Sequence, residues 1–272
     1  MSDKLMIGVM LYLHGDPAEP MAKVKSLGLP SCQLGWPPFG SLETAEALKA
    51  AAQAADVTVT SLFADLPGPA AWNFTEGPST IGLVPQEWRA ERVKALQAAA
   101  VIAGKIGIQC IFTHAGFIPF WPGDRQYKEI VAALKDAVSA CADNGVTFCY
   151  ETGQETPITL LRTIHDVGFE NQGINFDPAN LLMYGNGNPL DALDVFGEWV
   201  RGVHAKDGEY PTNGAELGVE KPLGEGRVNF PVLIPKLKSL GYCGALTIER
   251  EISGDEQVAD IKRAMAILEP LC

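Results

Sequence analysis

Two hydrophobic rhythms alternate along this chain. Short apolar runs at residues 5–10, 31–34, 57–63, 109–113, 147–151, 173–177, 200–204 and 245–249 read as buried strands. Longer stretches between them repeat apolar positions every three or four residues. These predict helices near 18–26, 42–54, 86–102, 126–143, 157–166, 189–199 and 230–240, with a last one over 255–268. Pro157 and Pro189 stand where a first helical turn tolerates proline, and Gly145 and Gly241 follow helices at positions that favour a left-handed residue. Eight strand–helix pairs in strict order imply parallel strands joined by right-handed crossovers. No G-x-G-x-x-G or Walker-type loop follows any strand. Closure into a single (β/α)8 TIM barrel spanning residues 1–272 is therefore expected rather than an open nucleotide-binding sheet.

Two connections exceed an ordinary loop. Residues 64–85, after the third strand, are rich in proline and glycine and carry Trp72 and Phe74; residues 207–227, after the seventh, are glycine-rich and carry Tyr210. Both fall on the C-terminal face of such a barrel, and connections of this length without structure of their own are lids or disordered insertions.

Composition narrows the class of function. At 272 residues the chain has the length of one such barrel, typically about 250. Basic residues number 21 against 33 acidic ones, a formal charge of −12, and no Lys/Arg run stands out. That argues against a nucleic-acid groove or an anionic membrane surface. The six cysteines (Cys32, Cys110, Cys141, Cys149, Cys243 and Cys272) include no C-x-x-C pair, as expected of reduced thiols rather than a disulfide framework. The first thirteen residues lack the cleavage site of a signal peptide, and no apolar stretch approaches about 18 residues, so a cytoplasmic protein is expected.

The chemistry sits at four strand ends. Segments 148–151, 174–177, 200–204 and 246–249 finish in Glu151, Asp177, His204 and Glu249. Alternation along a strand puts Glu151 on one face with Cys149 and Thr147, Asp177 with Asn175, His204 with Gly202, and Glu249 with Thr247. The opposite faces hold Phe148, Tyr150, Phe176, Val203 and Ile248, which suit packing under outer helices. Three carboxylates and an imidazole delivered to one barrel mouth make a site for a hard divalent cation with positions left for substrate; Mn²⁺, Mg²⁺ or Co²⁺ suits it better than a structural zinc. Ion pairs with Lys206 and Arg250 are the alternative.

These residues carry a family resemblance. Glu151-Thr-Gly-Gln, Asn175-Phe-Asp-Pro-Ala-Asn, Val203-His-Ala-Lys-Asp-Gly, Pro222-Leu-Gly-Glu-Gly-Arg-Val and Thr247-Ile-Glu-Arg-Glu resemble the xylose isomerase-like TIM-barrel superfamily, and within it the sugar phosphate isomerase/epimerase group of ketose 3-epimerases and hydroxypyruvate- and inosose-type isomerases. The resemblance implies that Glu151, Asp177, His204 and Glu249 bind the metal, Mn²⁺ first, with Mg²⁺, Co²⁺ and Zn²⁺ as alternatives. It implies that Glu151 and Glu249 also act as acid and base on opposite faces of the carbon α to a carbonyl, through a metal-stabilised enediolate. It further implies a small-molecule sugar substrate and a dimer or tetramer. Ketose 3-epimerases place a substrate-binding histidine three residues after the aspartate, where this chain has Asn180. Asparagine bonds a hydroxyl but carries no proton at neutral pH. A lyase or hydratase on a 3-keto-glycoside therefore stands as the alternative, with a non-catalytic metal- or sugar-binding barrel behind it.

Further residues expected at the substrate are His114, at the end of the fourth strand, as an orienting or proton-shuttling group; Lys206, two residues after His204; and Gln154, Asn180 and Glu251, just beyond ligand strands. Trp36, Phe39, Trp72 and Trp121 are expected in loops at the same end, where aromatic faces suit sugar rings, while His14 and His165 read as incidental.

Overall fold

The apolar runs pair edge to edge and close on themselves in the computed structural model, which describes residues 4–272. The barrel strands are β1 (Met6–Tyr12), β2 (Ser31–Trp36), β3 (Thr58–Ala64), β4 (Cys110–Thr113), β5 (Thr147–Glu151), β6 (Gln172–Phe176) and β7 (Val200–Ala205). A two-residue pair, β8 (Asp207–Gly208) and β9 (Glu220–Lys221), forms an antiparallel ribbon over the rim, and β10 (Ala245–Ile248) completes the ring between β7 and β1. All eight ring strands run parallel, so the architecture is a closed (β/α)8 barrel with its helices outside.

The alternation within strands sorts side chains into two cores. Phe148, Tyr150, Phe176, Val203 and Ile248 belong to the large core beneath the helices. A second, small cluster of Met10, Phe112 and Cys149, flanked by Phe63 and Cys110, is separate from it. Barrel interiors are normally filled by layers of branched apolar residues. Here the buried inner set includes Gln33, Asn175, Thr247 and His204, polar groups that must find partners with one another.

Two strands slip in register. Thr60 is the extra residue in β3, bringing Gln33 opposite Ser61; Arg201 is the extra residue in β7, bringing Asn175 opposite Gly202. Such bulges re-aim side chains near active sites, and both lie beside residues that prove central below.

Several expectations are corrected at the rim. Trp36 is not in a loop: it closes β2 and is buried, with Gly40 leaving room for its ring. The 64–85 connection is not structureless, since it carries a helical turn at Gly77–Thr80. The first helix after β6, Pro178–Met183, has no counterpart in the hydrophobic pattern, and the next ends as an α-helix at Phe196 before a 3-10 turn, Gly197–Trp199. The 207–227 connection is organised by Asp207, whose carboxylate accepts N–H bonds from Gly208, Gly224, Gly226 and Val228 at 2.8, 2.9, 3.1 and 2.9 Å. A Cβ at Gly226 would overlap Asp207 Oδ1, while Gly224 adopts a φ of 90° that favours glycine. Among the described residues no helix is long and apolar enough to cross a membrane.

Candidate metal centre

Four strands deliver one cluster. Glu151 ends β5, Asp177 follows β6, His204 lies in β7 and Glu249 follows β10, and one ligand atom from each lies within 4.8 Å of all the others. All four are buried. Asp177 also caps the helix Pro178–Met183: its Oδ1 accepts from the Asn180 N–H at 2.9 Å, which leaves Oδ2 turned to the cluster. His204 Nδ1 lies 2.9 Å from Glu151 Oε1, 3.2 Å from Glu249 Oε2 and 3.9 Å from Asp177 Oδ2.

A chain of amides behind the cluster fixes its orientation. Glu151 Oε2 accepts from Asn175 Nδ2, Asn175 Oδ1 accepts from Gln33 Nε2 at 3.1 Å, and Gln33 Oε1 meets His204 Nε2 at 2.7 Å. An ionised carboxylate can only accept, so every link in this chain has one permitted direction and its last donor must be the His204 Nε2–H. Nδ1 therefore faces the carboxylates, where it can carry a proton or accept a cation in the proton's place. Neither Nδ1 nor Asp177 Oδ2 makes a hydrogen bond among the described residues, although both are buried. A ring nitrogen and a carboxylate oxygen in one cluster, both without a hydrogen bond, are what a cation would satisfy.

Gln33 was not anticipated, and Asn175 was placed only as sharing a face with Asp177. Nothing in sequence spacing could link strands two, six and seven, because the contact crosses the barrel interior between β2 and strands that are not its neighbours. Gly202 completes the arrangement, since a Cβ there would overlap Asn175 Oδ1. Gly202→Ala is expected to displace the amide chain, lowering Mn²⁺ affinity by about 10–100-fold and stability by about 1–3 kcal/mol. Calorimetric titration with Mn²⁺ and thermal unfolding check the two effects separately.

Electrostatics favour positive charge at the cluster. Lys206 is buried with its Nζ 3.0 Å from Glu251, 3.1 Å from Glu249, 3.7 Å from Asp177 and 3.4 Å from Asn180 Oδ1. Burial opposes its charge, but Glu249, Asp177 and Glu251 outweigh it and hold the ammonium well above its usual range. Lys206 is one cation beside three carboxylates, so it answers the ion-pair alternative only in part. Arg250 is spent on Glu220 and Asp260. Burial pushes Glu151 up to about 7, with His204 pulling it down and Asp177 and Glu249 adding to the rise. Burial alone would raise Glu249 too, yet His204 and Lys206 hold it well below the usual carboxylate range. His204, disfavoured by burial, is held well above its ordinary value by Glu151, Glu249 and Asp177. The site thus attracts positive charge at the ring, whether as a proton or a cation.

Beside the cluster opens a cavity of about 560 Å³, lined by Glu151, Glu249, His114, Gln154, Asn180 and Glu251 among others. Lys206 stands behind this wall, reaching Glu249 and Glu251. His114 Nδ1 pairs with Gln154 Oε1 at 3.1 Å, and its ring packs edge-on against Trp72. Burial takes the His114 pKa down to about 3, so the ring is neutral and offers hydrogen bonds rather than a proton. Gln154 Nε2 is buried without a partner among the described residues. Of the four aromatic residues, only Trp72 lines the cavity; Phe39 and Trp121 are exposed outside it. His165 packs on Trp199 from its helix, and His14 stacks on Tyr12.

The xylose isomerase-like TIM barrel family profile matches residues 21–271. An uncharacterised protein of Methanocaldococcus jannaschii is 28% identical over 172 residues, 58% of this chain, and the chain spans only 56% of that relative's length. Among solved structures, a xylose isomerase domain protein from Planctomyces limnophilus is 34% identical and superposes with a TM-score of 0.91 over 98% of this chain and 97% of its own. A 3-keto-D-glucoside 4-epimerase from E. coli reaches 0.71 over 98% and 100%, a likeness of fold at 16% identity. Matched along nearly its whole length by that profile, and by a solved relative at a third identity, this chain belongs to the xylose isomerase-like TIM barrel family.

Proposed function

We propose that this barrel is a divalent-metal-dependent isomerase or epimerase of a ketose or keto-sugar. The observation that carries the reading is the convergence of three buried carboxylates and an imidazole nitrogen, with His204 Nδ1 and Asp177 Oδ2 making no hydrogen bond among the described residues, at the edge of a substrate-sized cavity. Glu151, Asp177, His204 and Glu249 would hold the ion, Mn²⁺ for preference given three oxygen donors and one nitrogen. Bound there, a divalent cation polarises a carbonyl and stabilises the charge that develops when the α-carbon loses a proton.

The chain's own groups supply the rest. Glu249, kept ionised by Lys206 and His204, takes the α-proton; Glu151, whose burial favours the protonated form, returns one. Lys206 restrains Glu249 and Asn180 at once. Gln154 Nε2 and the neutral His114 orient hydroxyls, and Glu251 stands at the mouth.

A second reading uses the same proton abstraction to expel a neighbouring substituent, making the enzyme a lyase or hydratase on a 3-keto-glycoside. Asn180 favours it, because that position cannot carry a proton and its Oδ1 is tied to Lys206. The structurally similar 3-keto-D-glucoside 4-epimerase adds support for sugars of that class. Solvent deuterium uptake into a panel of keto-sugars tests the common step, and product mass separates isomerised sugar from a released fragment. Glu249→Gln is expected to lower the exchange rate by about 100–10,000-fold; undiminished exchange would remove Glu249 from the base role.

A further inference from the structure

The cavity carries apolar surface that a bare sugar does not explain. Phe63, Leu66, Trp72, Ile81, Met183 and Leu217 line it beside the polar Asp65 and Thr80, contributed by β3, the 64–85 connection, the helix after β6 and the 207–227 connection. The total volume of about 560 Å³ lies within the range of pockets for drug-sized ligands, about 300–1,000 Å³. A free ketose presents hydroxyls on nearly every carbon, and each one desolvated against such a wall would lose a hydrogen bond without replacement.

The wall is also built in place. Arg92, buried in the helix Gln86–Ile106, spends its guanidinium on backbone carbonyls of the 64–85 connection: Pro67 at 2.9 Å, Pro69 at 2.8 Å, Thr80 at 2.8 Å and Gly82 at 2.6 Å. Among the described residues no carboxylate pairs with it within 4.0 Å, so this cation is devoted to holding the loop's shape. Trp72 is braced edge-on by His114, and Phe74, further along the same loop, by Tyr184. A hydrophobic surface fixed in advance selects its ligand without the cost of ordering a lid.

We propose that the substrate is a sugar carrying an apolar substituent, aromatic or branched aliphatic, with the sugar at the carboxylate cluster and the substituent in the chamber between Trp72 and Leu217. This rests on the assignment of the cluster as the site of keto-sugar chemistry, but its test does not need turnover. The probes are 4-nitrophenyl β-D-glucopyranoside and methyl β-D-glucopyranoside, which share a sugar, lack a keto group and differ in the substituent. Calorimetric titration of the Mn²⁺-supplemented protein is expected to show the aryl glycoside binding about tenfold tighter or better, the range for filling a hydrophobic pocket. Trp72→Ala, at a half-exposed position, and Leu217→Asn, on the other loop, should each reduce that preference to below about threefold. Asp177→Asn should leave it intact. Equal affinity for the two glycosides, no binding of either, or an undiminished preference in both chamber variants would overturn the proposal. An intact aryl preference in protein that retains no Mn²⁺ and exchanges no α-proton would instead leave the chamber standing and remove the proposed metal chemistry.

Discussion

Asp177→Asn is expected to weaken Mn²⁺ binding by more than the 10–100-fold typical of losses behind the ligands, about 100-fold or greater, while the barrel stays folded. The reason lies in how the two carboxylate oxygens are divided. Oδ1 caps the helix Pro178–Met183 through the Asn180 N–H, a task asparagine performs as well as aspartate. Oδ2 makes no hydrogen bond among the described residues and faces His204 and Lys206 at 3.9 and 3.7 Å. The substitution therefore removes charge from the cluster without removing the cap. Relieving repulsion among buried acids should, if anything, raise the unfolding temperature of the metal-stripped protein. His204→Ala is expected to lose metal affinity to a similar degree and to orphan Gln33 Oε1, so it should also destabilise by about 1–3 kcal/mol. Elemental analysis after dialysis, with calorimetric titration of Mn²⁺, reads the affinity. Unchanged metal content in both variants would remove the cation from this site.

How far the sequence foretold this cluster depends on whether a feature was local. Strand alternation was enough to place Glu151 opposite Phe148 and Tyr150, or His204 opposite Val203, because in-and-out parity is a property of five consecutive residues. Strict βα order then brought four strand ends to one rim. The same reasoning misplaced Trp36 by ending β2 two residues early, since a tryptophan beside Pro37 and Pro38 looks like loop until its burial is seen. What lay out of reach were contacts made across the barrel between strands far apart in the ring. Gln33 and Asn175 meet across the barrel interior from strands that are not neighbours, and no periodicity within a single strand records that. Arg92 was equally silent: in an amphipathic helix an arginine reads as surface, and only the carbonyls of the following structure show why it is buried. The motif glycines behaved oppositely. Pro222–Val228 stood out in sequence, and its physical reason is the Asp207 carboxylate those backbone N–H groups enclose.

Glu155→Gln is expected to stabilise the metal-stripped protein at alkaline pH by about 3–5 kcal/mol and to lose that advantage toward pH 4.5. Glu155 lies between Gln154 and the helix Pro157–Val167, is buried, and has no hydrogen bond to either carboxylate oxygen among the described residues. Burial pushes its pKa from 4.5 up to about 8, its own backbone N–H pulling down and the charge of Glu151 adding to the rise. The sign follows from proton counting. Between pH 4.5 and about 8 the folded protein keeps a proton that the unfolded chain has released. Raising the pH through this window therefore favours unfolding, by about 1.4 kcal/mol per unit. The contribution is complete below the unfolded value and gone once the pH has passed the folded one. Glutamine fills nearly the same volume and never ionises, so it escapes the loss. For a chain of this length the variant should unfold about 6–12 °C higher than the parent at pH 8.5, with the two curves converging near pH 5. Scanning calorimetry across pH 5–9 makes the comparison. Parallel curves over the whole range would mean that Glu155 ionises at no cost, and the carboxyl would then have to be sharing its charge with a bound water or cation at the floor of the site.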